Sequence, residues 1–581
     1  MDNNESVACD FVHQLFHNAA LFYAEHGDPD RAIELYLTAL HHRRQYQSLV
    51  QLGLFLATID RVKEAQPYLF EAQALLPGHL DLELLSATVL PFAYVNERSV
   101  AENLAFLHER LAALEARWLS KPPQDQLHPQ RLMPWAPTLN RLHYASFDVH
   151  ENLIFVKRKA QLSAWVTRSL RYTADHLRAS WPPRPTTRKL RVGFMTTHWC
   201  RSHSLYMHAG PLVERLPRKT ASVFYIRNEN TACAGPGDNV VAAHPTVDRD
   251  VYISGDLSRL DESRHAIAGL RLDILVYLEI GMEPLPYFLA FARLAPVQMS
   301  TWCYVATSGL EDTVDYFVSA EHLEAPPQGG ISGFTEQVVR FYHSPWLLGQ
   351  GHTAKGEDRY AALIAAESTL TSKDQLGMPN SAPLLVCAQE AFKYHPSFDN
   401  ILVSLLAKNP SAYLVLVFAA EAGSASYTVL PMLRDRLTAR LGPELMRRVR
   451  MFDRRNRATY LALMAMSTAV LDTLPWSAFT TAYEALQMGV PLVTLPGKDS
   501  RGRFAYRLYR QIDVKELVAN DTVHYVKIVT RLCSDRPWRA FVQAKVRDRV
   551  ARTLGTPGSE AASLAEWDAF LHRAAAAAIS G

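Results

Sequence analysis

Between residues 190 and 497 the chain runs twice through one pattern, in which short, unbroken, β-rich apolar stretches alternate with helical ones. The first array holds LRVGFMTT (190–197), SVFYI (222–226), DILVYL (273–278), PVQMSTW (296–302) and DYFVSA (315–320). After a pause in a Gly- and charge-rich region near 350–380, the second holds PLLVCAQ (383–389), AYLVLVF (412–418), RVRMFD (448–453), TAVLDT (468–473) and PLVTLPG (491–497). Apolar runs without polar alternation suit strands buried on both faces of a parallel sheet, with helices as crossovers. Two successive arrays predict two doubly wound α/β lobes, whose ligands bind beyond the carboxyl ends of the strands. Chemistry is therefore expected in the cleft between the lobes.

Upstream the period changes. FYAEHGDPDRAIELYLTAL (22–40) lies over FLATIDRVKEAQPYLFEAQ (55–73), so that Ala32 falls on Ala65, Tyr36 on Leu69 and Ala39 on Ala72, each a step of 33. Small residues where paired helices cross, at that period, resemble tetratricopeptide repeats, whose unit is about 34 residues. A degenerate third copy is expected over 80–115. WPPRPTTRK (181–189) then places three prolines among nine residues and breaks any helix. The expected divisions are a helical repeat segment (1–115), a helical linker (116–187), an N-terminal Rossmann-like lobe (188–350), a C-terminal Rossmann-like lobe (375–555) and a terminal helix (556–581).

Composition narrows the partners. Over 581 residues, 48% hydrophobic and 20% charged residues are globular values, and a net charge of +3 argues for neither nucleic acid nor membrane surface. No apolar run reaches the roughly 20 residues a bilayer needs. Six cysteines lie far apart without metal-ligand spacing, which predicts reduced thiols, no metal and a cytoplasmic location.

Four segments carry chemistry. In LDTLPWSAFTTAYEALQMGVPLVTLPG (471–497) a strand ends at Asp472, and Thr480 and Thr481 stand where a helix begins. Hydroxyls and free N–H groups at a helix start form a seat for phosphate. Glu484, three residues after Thr481, reads either as half of a capping box or as an acceptor for ribose hydroxyls. In VCAQEAFKYHPSFDNIL (386–402), Gln389, Phe392 and Lys393 occupy the turn after a strand. MSTWCYVATSGLEDTVDYFVSA (299–320), after RLAPVQ (293–298), sets Tyr304, Thr307, Ser308 and Gly309 in a turn at a strand end. LRVGFMTTHWCRSHSLYMHAGPL (190–212) runs from a strand into a loop with His198, His203 and His208. The basic run RRVRMFDRRNR (447–457) reads as a solvated rim, with the alternative left open that some of its arginines face the pocket, though the sequence does not single one out.

Together these segments resemble the GT-B glycosyltransferases, and within them family 41, which contains protein O-linked N-acetylglucosamine transferase and the bacterial adhesin N-glycosyltransferases. Thr480, Thr481, Glu484 and Leu486, followed by Gly489, Pro491, Val493, Thr494, Pro496 and Gly497, stand in register with the family's donor motif. Ala478 and Phe479 depart from it, standing where the family has Gly and usually His or Asn, and Phe479 has no hydrogen bond to give a phosphate. Arg293, Pro296, Gln298, Trp302, Thr307, Ser308, Gly309, Asp315 and Tyr316 match a second motif, with Cys303 and Val305 replacing Gly and Pro.

The resemblance implies inverting transfer of N-acetylglucosamine or a hexose from a UDP-sugar to a Ser/Thr side chain, with neither metal nor cofactor. Lys393 would neutralise the departing diphosphate. His203, paired with the family's histidine across a one-residue insertion, would take the acceptor's proton or orient the nucleophile. Gln389, Phe392, Phe479, Thr480, Thr481 and Glu484 would line the donor, and Tyr304, Thr307, Ser308 and Gly309 the sugar and acceptor side. The repeats would dock a protein or peptide acceptor. Two other readings stay open: N-linked transfer of a hexose to Asn of an adhesin on the same fold, and a non-catalytic scaffold, favoured by Phe479 and the altered 303–305 turn.

Overall fold

The computed structural model describes residues 2–120, 128–130, 141, 148–178, 188–200, 203–229, 248–301, 307–324, 333–346, 359–418, 425–453 and 456–580. The chain begins with six helices: α1 (Asp2–Glu25), α2 (Pro29–His42), α3 (Tyr46–Thr58), α4 (Val62–Leu75), α5 (Leu80–Thr88) and α6 (Glu97–Trp118). The superposed repeat positions lie on the packed face. Ala32, Ala39, Ala65 and Ala72 are fully buried, and Tyr36 and Leu69 are nearly so. Without bulk at these crossings α1 closes on α2, and α3 on α4, in matching pairs. Asp28 starts α2 by accepting the Arg31 N–H at 3.1 Å, with Pro29 preset at the first helical position.

The third pair, α5 and α6, is not a free-standing repeat. Leu84, Leu90, Leu107 and Leu111 share one core with Phe155 and Leu162 of the helix Val149–Val166 and with Leu275 and Tyr277 of the first sheet. The end of the repeats and the linker helix thus form the base of the first lobe.

Two parallel sheets follow. Strands β1 (Leu190–Met195), β2 (Ala221–Asn228), β3 (Arg249–Ile253), β4 (Ile274–Tyr277), β5 (Val297–Ser300), β6 (Tyr316–Ala320) and β7 (Gln337–Phe341) stand in the order β3-β2-β1-β4-β5-β6-β7. Strands β8 (Leu384–Ala388), β9 (Tyr413–Phe418), β10 (Val449–Asp453), β11 (Ala469–Leu471) and β12 (Leu492–Val493) stand in the order β10-β9-β8-β11-β12. Every expected apolar run is one of these strands, and the architecture is the two Rossmann-like lobes the sequence predicts.

β3 and β7 were not expected. Both are edge strands of the first sheet, and each is exposed or half-buried along its length except at its last residue. RDVYI and QVVRF therefore carry polar side chains where an interior strand cannot, and a search for unbroken apolar runs passes over them.

The C-terminal helix Pro557–Ser580 returns to the first lobe. Its Trp567, Phe570 and Leu571 enter the core beside Val192, Val223 and Phe341. Trp567 Nε1 donates to the Pro345 carbonyl at 2.9 Å, and Glu566 accepts the Tyr342 and His343 amides at 2.8 and 2.9 Å.

Candidate functional site

In the first sheet the strand order reverses between β1 and β4, and in the second between β8 and β11. Crossovers leave such a point towards opposite faces and open a crevice beyond the strands' carboxyl ends. The two crevices face each other across one cavity of about 460 Å³. His203, Met207, His208, Met282 and Thr301 line it from the first lobe, and Gln389, Lys393, Arg457, Trp476, Thr480, Thr481 and Glu484 from the second.

After β8 a single 3₁₀ turn, Ala391–Lys393, precedes the helix Pro396–Lys408. It sets the Lys393 ammonium 3.4 Å from Gln389 Oε1 and 5.1 Å from the centre of the Trp476 ring. Gln389 is buried, and its Nε2 meets no acceptor among the described residues. A buried donor left so is costly, and an acceptor placed in the cavity would satisfy it. Phe392, expected at the donor, turns the other way and meets Phe92 of the repeats at 6.0 Å between ring centres.

After β11 the loop is shaped by Asp472, which is fully buried. Its carboxyl accepts from Ser477 Oγ at 2.7 Å, the Ala478 amide at 2.6 Å and Thr494 Oγ1 at 2.6 Å. Burial pushes its pKa up to about 7 against those hydrogen bonds and the Lys393 charge. The helix Thr480–Gln487 starts from this fixed loop with Phe479 at its N-cap, and no side chain caps its first-turn amides.

Both threonine hydroxyls are already engaged. Thr481 Oγ1 donates to the Ala388 carbonyl at 3.1 Å, and Thr480 Oγ1 lies 2.9 Å from His208 Nε2. A hydroxyl proton given to a carbonyl is not available to a phosphate, so the anion seat rests on the backbone N–H groups more than on the hydroxyls. Nor is Glu484 a capping residue: Arg457 Nη2 donates to its Oε1 at 2.7 Å and Tyr460 OH to its Oε2 at 2.9 Å. Each oxygen keeps a second lone pair on the cavity wall.

Arg457 and His208 are the residues sequence reasoning missed. The basic run is not a uniform rim. Arg448 donates to the Asn409 and Leu406 carbonyls, Arg450 to that of Leu376, and Arg457 enters the cavity beside Glu484. Arg454 and Arg455 lie outside the described residues. His208 stands one turn into the helix Ser204–Arg215.

His208 stacks on Phe479 at 4.2 Å, and Phe479 also meets Trp346 at 5.3 Å and Phe504 at 5.1 Å. The Phe479 ring is therefore held in an aromatic wall and leaves the crevice open. Burial drives the His208 pKa down to about 3, so the ring is neutral. A histidine depressed in the folded state favours folding above the unfolded value near 6.5, and that contribution is lost as pH falls towards the folded value. Between pH 7 and pH 5, His208→Gln should remove about 2 kcal/mol of acid-induced destabilisation. Denaturant titrations of both proteins at the two pH values measure this. Parallel profiles would mean His208 is not neutral in the fold.

His203 lines the cavity at the start of the same helix, with its ring stacked on His198 at 4.2 Å. Its Nδ1 accepts the Leu205 amide at 3.2 Å. A neutral ring accepting there carries its proton on Nε2, the tautomer that donates a hydrogen bond rather than takes a proton.

Thr307, Ser308 and Gly309 do not line the cavity. Thr307 Oγ1 donates to Glu336 Oε2 at 2.7 Å, and the Ser308 amide to Glu336 Oε1 at 2.8 Å. Gly309 has φ +77°, and a Cβ there would lie 2.7 Å from the Val156 backbone. Gln298 ties the 292–295 turn to Thr313, and Arg293 pairs with Asp315 at 2.6 Å. This second motif seats the lobe on the helix Val149–Val166, and of these three residues only Gly309 lines a cavity, a separate one of about 350 Å³ beside Lys157 and Arg293 and not the one between the lobes. Tyr304 lies outside the described residues.

Among the described residues no group of three or more His, Cys, Asp or Glu side chains is arranged to hold a metal. Cys387 and Cys533 are free thiols as expected, whereas Cys200 is disulfide-bonded, against the expectation of reduced cysteines.

Comparison with known proteins agrees with this geometry. Residues 349–555 match the model of glycosyl transferase family 41. A probable UDP-N-acetylglucosamine--peptide N-acetylglucosaminyltransferase SEC of Arabidopsis thaliana is 21% identical over 264 residues, covering 45% of this chain and 25% of the relative. A probable enzyme of the same description, SPINDLY of Petunia hybrida, is 31% identical over 90 residues, 16% of this chain and 10% of the relative. The chain thus aligns with a quarter or less of these relatives' own length. A variant of the Thermobaculum terrenum O-GlcNAc transferase superposes with a TM-score of 0.67 at 21% identity, over 98% of this chain and 99% of that one. The fold is shared from end to end, and the part of the chain that matches the model of glycosyl transferase family 41 is the second lobe.

Proposed function

We propose that this chain is an inverting glycosyltransferase that moves N-acetylglucosamine or a hexose from a UDP-sugar to a serine or threonine hydroxyl of a protein. The observation that carries the reading is the single cavity, at the switch points of both sheets, into which Lys393 and the uncapped start of the helix Thr480–Gln487 both open. The diphosphate binds between them, and the ammonium meets negative charge that grows as the sugar–phosphate bond breaks, so it stabilises the transition state more than the ground state. Lys393 thereby does what a metal ion does in other transferases, and no cofactor is required. Gln389 Nε2 donates to a donor oxygen, and Glu484 accepts from the ribose hydroxyls.

The acceptor enters from the first-lobe side, where His203 orients its oxygen by a hydrogen bond from Nε2. That oxygen attacks the anomeric carbon opposite the departing UDP: the sugar–phosphate bond breaks as the new carbon–oxygen bond forms, and the hydroxyl proton passes to a phosphate oxygen of the leaving UDP. Stacked helix pairs present an elongated face, and the repeats dock the acceptor peptide there. No described helix is long and apolar enough to cross a membrane. The reading includes a cytoplasmic location and no nucleic-acid partner.

UDP added without metal should raise the unfolding midpoint, since a ligand bound only by the native state stabilises it by about 2.7 kcal/mol at a hundred times its Kd. No shift at millimolar UDP would sink the reading. Glu484→Ala should weaken UDP about tenfold, the loss of one good hydrogen-bonded contact of roughly 1.4 kcal/mol, while slowing turnover less. Isothermal titration checks it, and an unchanged affinity returns Glu484 to a purely structural pairing with Arg457. Intact-mass spectra of proteins co-expressed with the chain should show hexose or N-acetylhexosamine increments.

A further inference from the structure

The turn that carries Lys393 is built against the helical repeats. The loop between α5 and α6 holds Phe92, Ala93 and Tyr94, and both Phe92 and Ala93 pack against the core of the second lobe although they belong to the repeat segment. The Phe92 ring meets that of Phe392, the immediate neighbour of Lys393. A second tie runs through Arg436, whose side chain is almost wholly buried. Its Nη1 donates to the Tyr94 carbonyl at 2.6 Å, its Nη2 to the Tyr394 carbonyl at 2.5 Å, and its Nε pairs with Asp399 at 2.9 Å. One guanidinium therefore clamps the repeat loop, the residue after Lys393 and the following helix.

On its other side the loop is fixed by the repeats themselves. Asp60, at the turn between α3 and α4, accepts the Phe92 and Ala93 amides at 2.5 and 3.2 Å. Arg141 lies 4.6 Å from the centre of the Phe92 ring and donates to the carbonyls of Leu90 and Ala57, the latter at 2.8 Å. The path from the second repeat to Lys393 thus consists of buried polar contacts and two packed rings. Buried networks of this kind resist small displacements, because each group that moves loses a partner that water does not replace.

We infer that Phe92 and Arg436 are positioning residues for the transfer reaction, and that the repeats hold the Lys393 ammonium in place through them. Resting on the glycosyltransferase reading, this makes the repeat segment part of the donor site as well as an acceptor platform. A peptide that shifts α3 and α4 on docking changes the position of Lys393.

The test uses the full chain with Phe92→Leu, a substitution that keeps an apolar side chain, and Phe55→Leu in α3 as a control within the same repeats. Hydrogen exchange of amides 389–395 should speed at least fivefold in Phe92→Leu and stay at the wild-type rate in Phe55→Leu, while both proteins keep the wild-type helical circular dichroism. UDP affinity by isothermal titration should fall about fivefold for Phe92→Leu in the wild-type background and less than twofold in a Lys393→Ala background, because residues acting through one another do not add. Arg436→Lys, which keeps the charge but loses the forked reach, should repeat both effects. Unchanged exchange at 389–395, or full additivity with Lys393→Ala, overturns the inference. If the wild-type chain does not bind UDP, the glycosyltransferase reading falls, and the exchange measurement alone still decides whether the repeats hold this turn.

Discussion

Lys393→Ala should lower turnover of the UDP-sugar by two to three orders of magnitude, roughly 2.7 to 4 kcal/mol, the scale of removing one preorganised charge partner from a transition state. The fold should survive. The turn around Lys393 is held by main-chain bonds, from its own amide to Glu390 and from the His395 amide to its carbonyl, each 2.9 Å, and neither involves the side chain. Its ammonium contacts Gln389 and Trp476 on the wall of an open cavity, so truncation leaves the buried core intact. Steady-state kinetics with circular dichroism as the control checks the expectation. Turnover within threefold of wild type would take Lys393 out of the chemistry, and with it the mechanism above.

Asp472→Ala should be the most destabilising single change near the site. It strands three buried donors, from Ser477, Ala478 and Thr494, and at about 1–3 kcal/mol for each unsatisfied group the total is about 3–9 kcal/mol. Asp472→Asn, which keeps one carbonyl acceptor, should cost far less. With its folded pKa raised to about 7, Asp472 favours folding below the unfolded value and loses that contribution as pH rises through neutrality. The Asn variant should therefore close on wild type between pH 5 and pH 7.5. Chemical denaturation at several pH values reads both effects. A cost below 1 kcal/mol for Asp472→Ala would mean that the loop before Thr480 does not depend on this carboxyl.

What the residues disclosed in advance follows from where each signal comes from. Interior strands such as DILVYL and AYLVLVF are buried on both faces, so nothing polar interrupts them. Edge strands such as QVVRF answer to solvent on one side and lose that mark. Lys393 and Thr480 were legible because they follow the two strands that flank the second switch point. His208 and Arg457 were not: each reaches the cavity from within a helix, and only tertiary packing decides which face of a helix a cavity touches. Thr307, Ser308 and Gly309 show the opposite error. Their pattern is specific, but what it specifies is how the turn seats on the helix Val149–Val166. Phe479 looked like a lost phosphate contact until His208, Trp346 and Phe504 supplied it with neighbours.

The return of the helix Pro557–Ser580 gives the lobes two covalent tethers, one after β7 and one before Pro557. Two bodies joined at two separated points are free chiefly to swing about the line through those points. A rotation of one lobe against the other is then confined chiefly to one axis, and a cut near Gly555 would free the lobes to twist and slide as well, even with the sequence of each lobe untouched.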